Sequence, residues 1–480
     1  MVLPRWLIRS ALVVTVALAG LLTWRAVDSL QGPPLQPWHT FVPDELSAPQ
    51  LDHADWQVWL AAENQAMAQV ASQVTAKLDL GQVPRVNRYR QDSIVYPAHF
   101  AQDWNRSFEL RPAGAPKGVV VLLHGLTDSP FSMRHLAEHY RDAGYLAVAI
   151  RMPGHGTVPA GLTHVHWQDW LAATRLAVRE ARQQVPAPLP LILVGYSNGG
   201  ALAMTYTLDS LDDASLARPA QVVLLSPMIG VDGYARFAGI AGWPAIFPAF
   251  AKSAWLDRLP EFNPFKYNSF PVNAARQSWL LTSHLQKALA AHAKVNGLQG
   301  LPPILTFQSL VDYTVSTPAV INRLYRLLPD NGSALVLFDI NRASDFGGLL
   351  DDSAATSVER LLPATPRPWR TTLITNAASN GPATVAVDTP ADRQASTTTP
   401  LAASYPRDIF SLSHVAMPFP VTDGLYGTQP AATDRFGIHL GTLAARGERG
   451  VLVVPLDVLM RIGCNPFFDY LLQRLDATYR

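Results

Sequence analysis

Six short apolar runs mark the middle of the chain: Gly118–Leu123, Tyr145–Ile150, Leu189–Val194, Gln221–Ser226, Ile304–Gln308 and Ala334–Phe338. Each is too short for a stable helix and shows no polar alternation, the pattern of a strand buried on both faces. Met133–Ala143 and Trp167–Gln184 carry helical periodicity between them, and Ala201–Tyr206 opens another helical pattern. Strand and helix alternating in this way predict a mostly parallel central sheet with helices on both faces. Ahead of it, Phe108–Leu110 reads as a short strand, and the apolar spacing from Leu51 to Leu78 predicts an amphipathic helix lying on the main body. Gly32 to Pro49, rich in proline, reads as an extended linker.

Two stretches interrupt the alternation. Residues 231–300 are rich in aromatics, among them Tyr234, Phe237, Trp243, Phe247, Trp255 and Phe265, and are expected to form a helical lid. Residues 342–405 are richer in Ser, Thr, Asn, Pro and Asp, with short strands predicted at Thr372–Ile374 and Ala383–Val387. At the amino terminus, Arg5 and Arg9 precede an uncharged run of 15 residues from Ser10 to Trp24. That run fits either a signal peptide or a membrane anchor; both readings export the remainder, so a periplasmic, extracytoplasmic or membrane-anchored location is expected. The resulting organisation is a hydrophobic segment at 1–27, a linker and helical extension at 28–114, and an α/β domain at 115–480.

Composition narrows the chemistry. With 480 residues, 48% hydrophobic and 16% charged, the chain can bury a large core. A net charge of +1 without a long basic run gives nucleic-acid binding no electrostatic support. The one cysteine, Cys464, excludes an intrachain disulfide and any metal site built on several thiolates.

The candidate chemistry begins at Gly195-Tyr196-Ser197-Asn198-Gly199, between a predicted strand and a predicted helix. A serine hydroxyl becomes a useful nucleophile only where a base can reach it, and a sharp strand-to-helix turn stands it clear of the sheet. Glycines at 195 and 199 let strand and helix approach closely. Loops at the carboxyl ends of parallel strands are where partners belong. After the first strong strand comes His124-Gly125-Leu126, whose Leu126 N–H, with that of Asn198, could hold an oxyanion. Asp312 follows the strand at 304–308 and could orient a base, or else cap a helix starting near Thr317; Asp339 and Asp345 are weaker rivals. A base downstream of that acid leaves His414 and His439, and His414, opening a loop after an apolar run, is the stronger candidate.

These residues, with Pro153-Gly154-His155-Gly156 after the second strand, resemble the α/β-hydrolase fold serine hydrolases. The resemblance is to their monoacylglycerol lipase, lysophospholipase and carboxylesterase-like branch, over roughly residues 115–340 and around His414. It implies hydrolysis of small-molecule or lipid carboxylic esters through an acyl-serine, without metal or organic cofactor. Membrane association would come through the amino-terminal segment. A peptidase of the same fold, or a non-catalytic envelope scaffold or binding protein, are the alternatives. An acid-to-base separation of 102 residues (414 minus 312) is longer than one helix and strand require.

Overall fold

The computed structural model describes residues 5–31, 33–230, 245, 248–312, 314–343, 357–378, 381–407, 409–441 and 461–477. Its centre is a ten-stranded sheet ordered β1-β3-β2-β4-β5-β8-β9-β10-β11-β12. Here β1 is Phe108–Leu110, β2 Gly118–Leu123, β3 Tyr145–Ile150, β4 Leu191–Tyr196 and β5 Gln221–Leu225. A separate short pairing joins β6 (Trp255–Asp257) to β7 (Phe270–Pro271). The sheet continues with β8 (Ile304–Ser309), β9 (Ala334–Phe338), β10 (Arg370–Asn376), β11 (Thr384–Thr389) and β12 (Thr397–Leu401). Pairing is parallel from β3 through β10 and antiparallel at both flanks.

The apolar runs form strands because both faces are covered. In β2, Val119, Val121 and Leu123 enter one core while Val120 and Leu122 enter the other. Helices α6 (Trp167–Gln184), α7 (Asn198–Asp212) and α8 (Val272–Asn296) line the first; α5 (Arg134–Asp142) and α11 (Phe468–Asp476) line the second. From β2 the chain moves to β3 on one side and returns to β4 on the other. The carboxyl ends of β2 and β4 therefore flank the crevice where the direction of winding reverses, the usual ligand position in such sheets.

The amphipathic stretch at 51–78 is two helices, α3 (Ala48–His53) and α4 (Trp56–Gln73). The break falls at Asp55, whose carboxylate accepts the Val58 N–H at 2.8 Å and so starts α4 afresh. Leu51, Trp56 and Trp59 are buried in the main core. The proline-rich linker is anchored: in the single turn α2 (Pro37–Thr40), Trp38 is buried and stacks on Tyr89 at 5.5 Å. In the aromatic insertion, Tyr234, Phe237, Trp243 and Phe247 lie outside the described residues. In its described part, Trp255 and Phe265 are buried, and α8 sets Leu281, Leu285 and Leu289 into the core.

Residues 342–405 explain the long gap between Asp312 and the histidine. After the short helices α9 (Thr317–Arg323) and α10 (Ser357–Leu361), the chain adds β10, β11 and β12 to the sheet edge before returning to the crevice. At the amino terminus, α1 (Arg5–Leu30) exposes Leu12, Val13, Val14, Val16, Trp24, Val27 and Leu30. Among the described residues, no helix is long and apolar enough to cross a membrane.

Candidate active site

Strand β4 ends at Tyr196 and α7 begins at Asn198, so Ser197 alone makes the turn, at φ 53° and ψ −115°. A non-glycine residue holds such angles only where its surroundings fix them. Ser197 N–H donates to Leu225 O at 3.0 Å, and Met228 N–H donates to Ser197 O at 2.9 Å. The flanking glycines are required by contact: a methyl on Gly199 would lie 2.0 Å from Leu123 O, and one on Gly195 2.4 Å from Gly199 O.

Three of the residues singled out in the sequence meet here. Ser197 Oγ–H donates to His414 Nε2 at 2.9 Å, and His414 Nδ1–H donates to Asp312 Oδ2 at 2.8 Å, the tautomer that satisfies both bonds. Ser197 and His414 are 5% and 7% exposed and the Asp312 side chain is fully buried, so the relay is shielded without being sealed. His414 starts a single turn directly after the two-residue strand β13 (Ser411–Leu412), and its ring stacks on Tyr196 at 5.5 Å. Tyr196 is thus a contributor that only its place beside the serine could have signalled.

Asp312 Oδ1 accepts the N–H groups of Thr314 (2.8 Å) and Val315 (3.1 Å). The cap of α9 is instead Ser316, whose side chain accepts the Ala319 N–H. Burial alone would raise the Asp312 carboxyl; the adjoining His414, its hydrogen bond and the Val315 N–H outweigh that and hold it below the usual carboxylate value. Of the rival acids, Asp339 is paired with Arg342 at 2.6 Å and accepts from Thr375 Oγ1 at 2.8 Å, while Asp345 lies outside the described residues. His439 is spent on the Gly427 carbonyl. Accordingly, in a p-nitrophenyl ester assay, His439→Ala should react within about threefold of the parent rate.

The loop after β2 lies against the serine, since a methyl on Gly125 would come 3.3 Å from Ser197 Cβ. Leu126 follows, half-buried, beside Thr127 at φ 61°. Asn198 is the first residue of α7, so its N–H has no partner within the helix. His124 stays outside the relay. Its Nε2 accepts the Met152 N–H at 3.0 Å and its Nδ1–H donates to Gly125 O at 2.9 Å, and burial lowers its pKa to about 4, leaving it neutral. It therefore ties the loop after β3 to the loop beside the serine.

Elsewhere, His135, Asp423 and Asp434 bring three ligand atoms within 4.8 Å. Arg134 already bridges that group, with Nη2 donating to Asp423 at 2.5 Å and to Asp434 at 2.9 Å. Two cavities lie away from the serine. One of about 290 Å³ is bordered by Trp56, Glu109 and Gln184, and one of about 440 Å³ sits at the amino ends of the strands near Gln221 and Arg370.

The family model described as serine aminopeptidase, S33, matches residues 114–317, a span that includes Ser197 and Asp312 and stops before His414. A thermostable monoacylglycerol lipase of Bacillus sp. (strain H-257) is 35% identical over 202 residues, 42% of this chain and 72% of that protein. A monoacylglycerol lipase of Mycolicibacterium smegmatis is 35% identical over 98 residues, 20% of this chain and 34% of that one. Among solved structures, a soluble variant of monoglyceride lipase from Saccharomyces cerevisiae aligns at 16% identity and a TM-score of 0.38, over 48% of this chain and 81% of that one. With a strained Ser197 at the crevice of a parallel sheet and a lipase relative matched over most of its length, the chain belongs to the serine aminopeptidase S33 family of α/β-hydrolases.

Proposed function

We propose that this hydrolase is a serine esterase that cleaves carboxylic esters of lipid-like acyl chains through an acyl-Ser197 intermediate. The observation that carries the reading is the unbroken hydrogen-bonded run from Ser197 Oγ through the His414 imidazole to Asp312. In that reading His414 Nε2 takes the serine proton as Oγ attacks the ester carbonyl, and Asp312 stabilises the imidazolium. The N–H groups of Leu126 and Asn198 donate to the tetrahedral oxyanion. Collapse expels the alcohol, which takes the proton from His414. Water, deprotonated by the same nitrogen, then releases the carboxylic acid and restores the hydroxyl.

The monoacylglycerol lipases among its relatives support a glycerol ester as substrate class. The exposed apolar side chains of α1 support attachment to a membrane surface, and the extracytoplasmic side is part of this proposal on the amino-terminal sequence pattern alone. The family description favours a second reading, a peptidase. A panel separates the two. Monoacylglycerols and p-nitrophenyl esters should be turned over while aminoacyl-nitroanilides are not, and cleavage of the anilides alone would make the protein a peptidase. Failure of the wild type to react with a fluorophosphonate would leave only the scaffold reading.

A further inference from the structure

The base is carried by little secondary structure. Strand β13 is two residues long and, among the described residues, pairs only with β14 (Arg461–Ile462), where Ser413 N–H donates to Ile462 O at 3.1 Å. The acid stands on a different loop, after β8. One side chain grips both. Arg461 is 5% exposed. Its Nη2 donates to Val311 O at 3.0 Å and to Leu412 O at 3.0 Å, and its Nε donates to Ser411 Oγ at 3.2 Å. Val311 immediately precedes Asp312, and Leu412 is two residues before His414. Leu412 O also accepts from Ser309 Oγ at 3.1 Å, so the last residue of β8 makes a second tie to the base segment.

We propose that Arg461 is a positioning residue that fixes the separation of Asp312 from His414 by clamping the acid loop to the base strand. The proposal rests on the reading of Ser197, His414 and Asp312 as the reacting relay. A guanidinium suits this task because its donors are held in one rigid plane, so three acceptors on two segments are fixed at once. Lysine keeps the charge and loses the fork. The buried cation also lies near enough to Asp312 to favour its ionised form, adding to the pull of His414.

The test compares wild type, Arg461→Lys and Ser411→Ala. Each rate is expressed per serine labelled at completion by a fluorophosphonate, so unfolded protein does not enter it. Arg461→Lys should lower kcat for a p-nitrophenyl ester by about 10–10²-fold with KM little changed, the cost of displacing a catalytic group by about an ångström. The low-field proton resonance of His414 Nδ1–H should broaden or move upfield in the same variant. Ser411→Ala, which removes one acceptor and leaves the charge, should lower kcat by a smaller factor in the same direction. If Arg461→Lys folds too poorly to label, Ser411→Ala alone decides: unchanged kcat and an unchanged resonance overturn the clamp. The same result in Arg461→Lys overturns it directly. A wild type that neither labels at Ser197 nor shows the resonance would instead refute the relay itself.

Discussion

Ser197→Ala should abolish covalent labelling by a fluorophosphonate and lower turnover of a monoacylglycerol or p-nitrophenyl ester by about 10⁴-fold or more. The hydroxyl stands at the tip of the turn between β4 and α7, where it is hydrogen-bonded to the His414 imidazole. His414→Ala should cost a similar factor, and the double variant no more than either single one, because in the proposed mechanism the three groups act as a unit. Asp312→Asn should also lose about 10⁴-fold, since an amide in place of the carboxylate no longer selects the tautomer with its proton on Nδ1. A stability measurement accompanies it. The Asp312 carboxyl is held below its ordinary value in the folded chain, so its contribution exists above the unfolded pKa of about 3.9 and fades as pH falls through the folded one. The gap in thermal midpoint between wild type and Asp312→Asn should therefore be full at neutral pH and shrink below about pH 4.

The buried sheet was legible because its strands are apolar on both faces, and a run such as Val119–Leu123 can belong to nothing else in a chain that also alternates with helices. The turn at Ser197 was legible for a related reason: its two glycines are dictated by backbone contact. The edge of the sheet was harder to read. In β12, Thr397-Thr398-Thr399-Pro400 is exposed and carries a proline, which an edge strand tolerates and a central one does not, so its composition reads as loop. That is why the long separation of Asp312 from His414 looked anomalous, although its described residues hold β9 to β13, of which β10, β11 and β12 extend the sheet edge. Charge clusters left the least trace. Arg461 shows as a cation closing the mostly apolar stretch 451–460, interrupted by Asp457, and nothing in the sequence ties it to Val311, 150 residues earlier.

Arg151 is a clear case of such hidden coupling, and replacing it should be strongly destabilising. Its side chain is fully buried. Nη1 and Nη2 donate to the two oxygens of Glu45 at 2.6 and 3.0 Å, Nε donates to Glu63 at 3.0 Å, and Nη1 also donates to His155 O at 2.9 Å. The carboxylates carry further bonds. Glu45 accepts the Gly154 N–H at 3.1 Å, and Glu63 accepts the Ser107 N–H at 3.0 Å and its hydroxyl at 2.9 Å. One cation thus fastens the segment around Glu45, helix α4 and the loop after β3, and that loop reaches the serine's neighbourhood through Met152 and His124. Arg151→Met leaves the buried Glu63 and the half-buried Glu45 without their counter-charge, and removing one partner of a buried pair costs about 3–5 kcal/mol. The urea midpoint should fall accordingly, and any turnover of a p-nitrophenyl ester should fall with it at temperatures near the new transition. Glu63→Gln should be milder, because burial already works against its charge and raises its pKa despite the attraction of Arg151. The triple replacement Arg151→Met, Glu45→Gln, Glu63→Gln should recover part of the loss, since the penalty lies in unpaired charge more than in the contacts themselves. A triple variant no more stable than Arg151→Met would show that the bonds to Gly154, His155 and Ser107, rather than charge balance, hold the extension to the sheet.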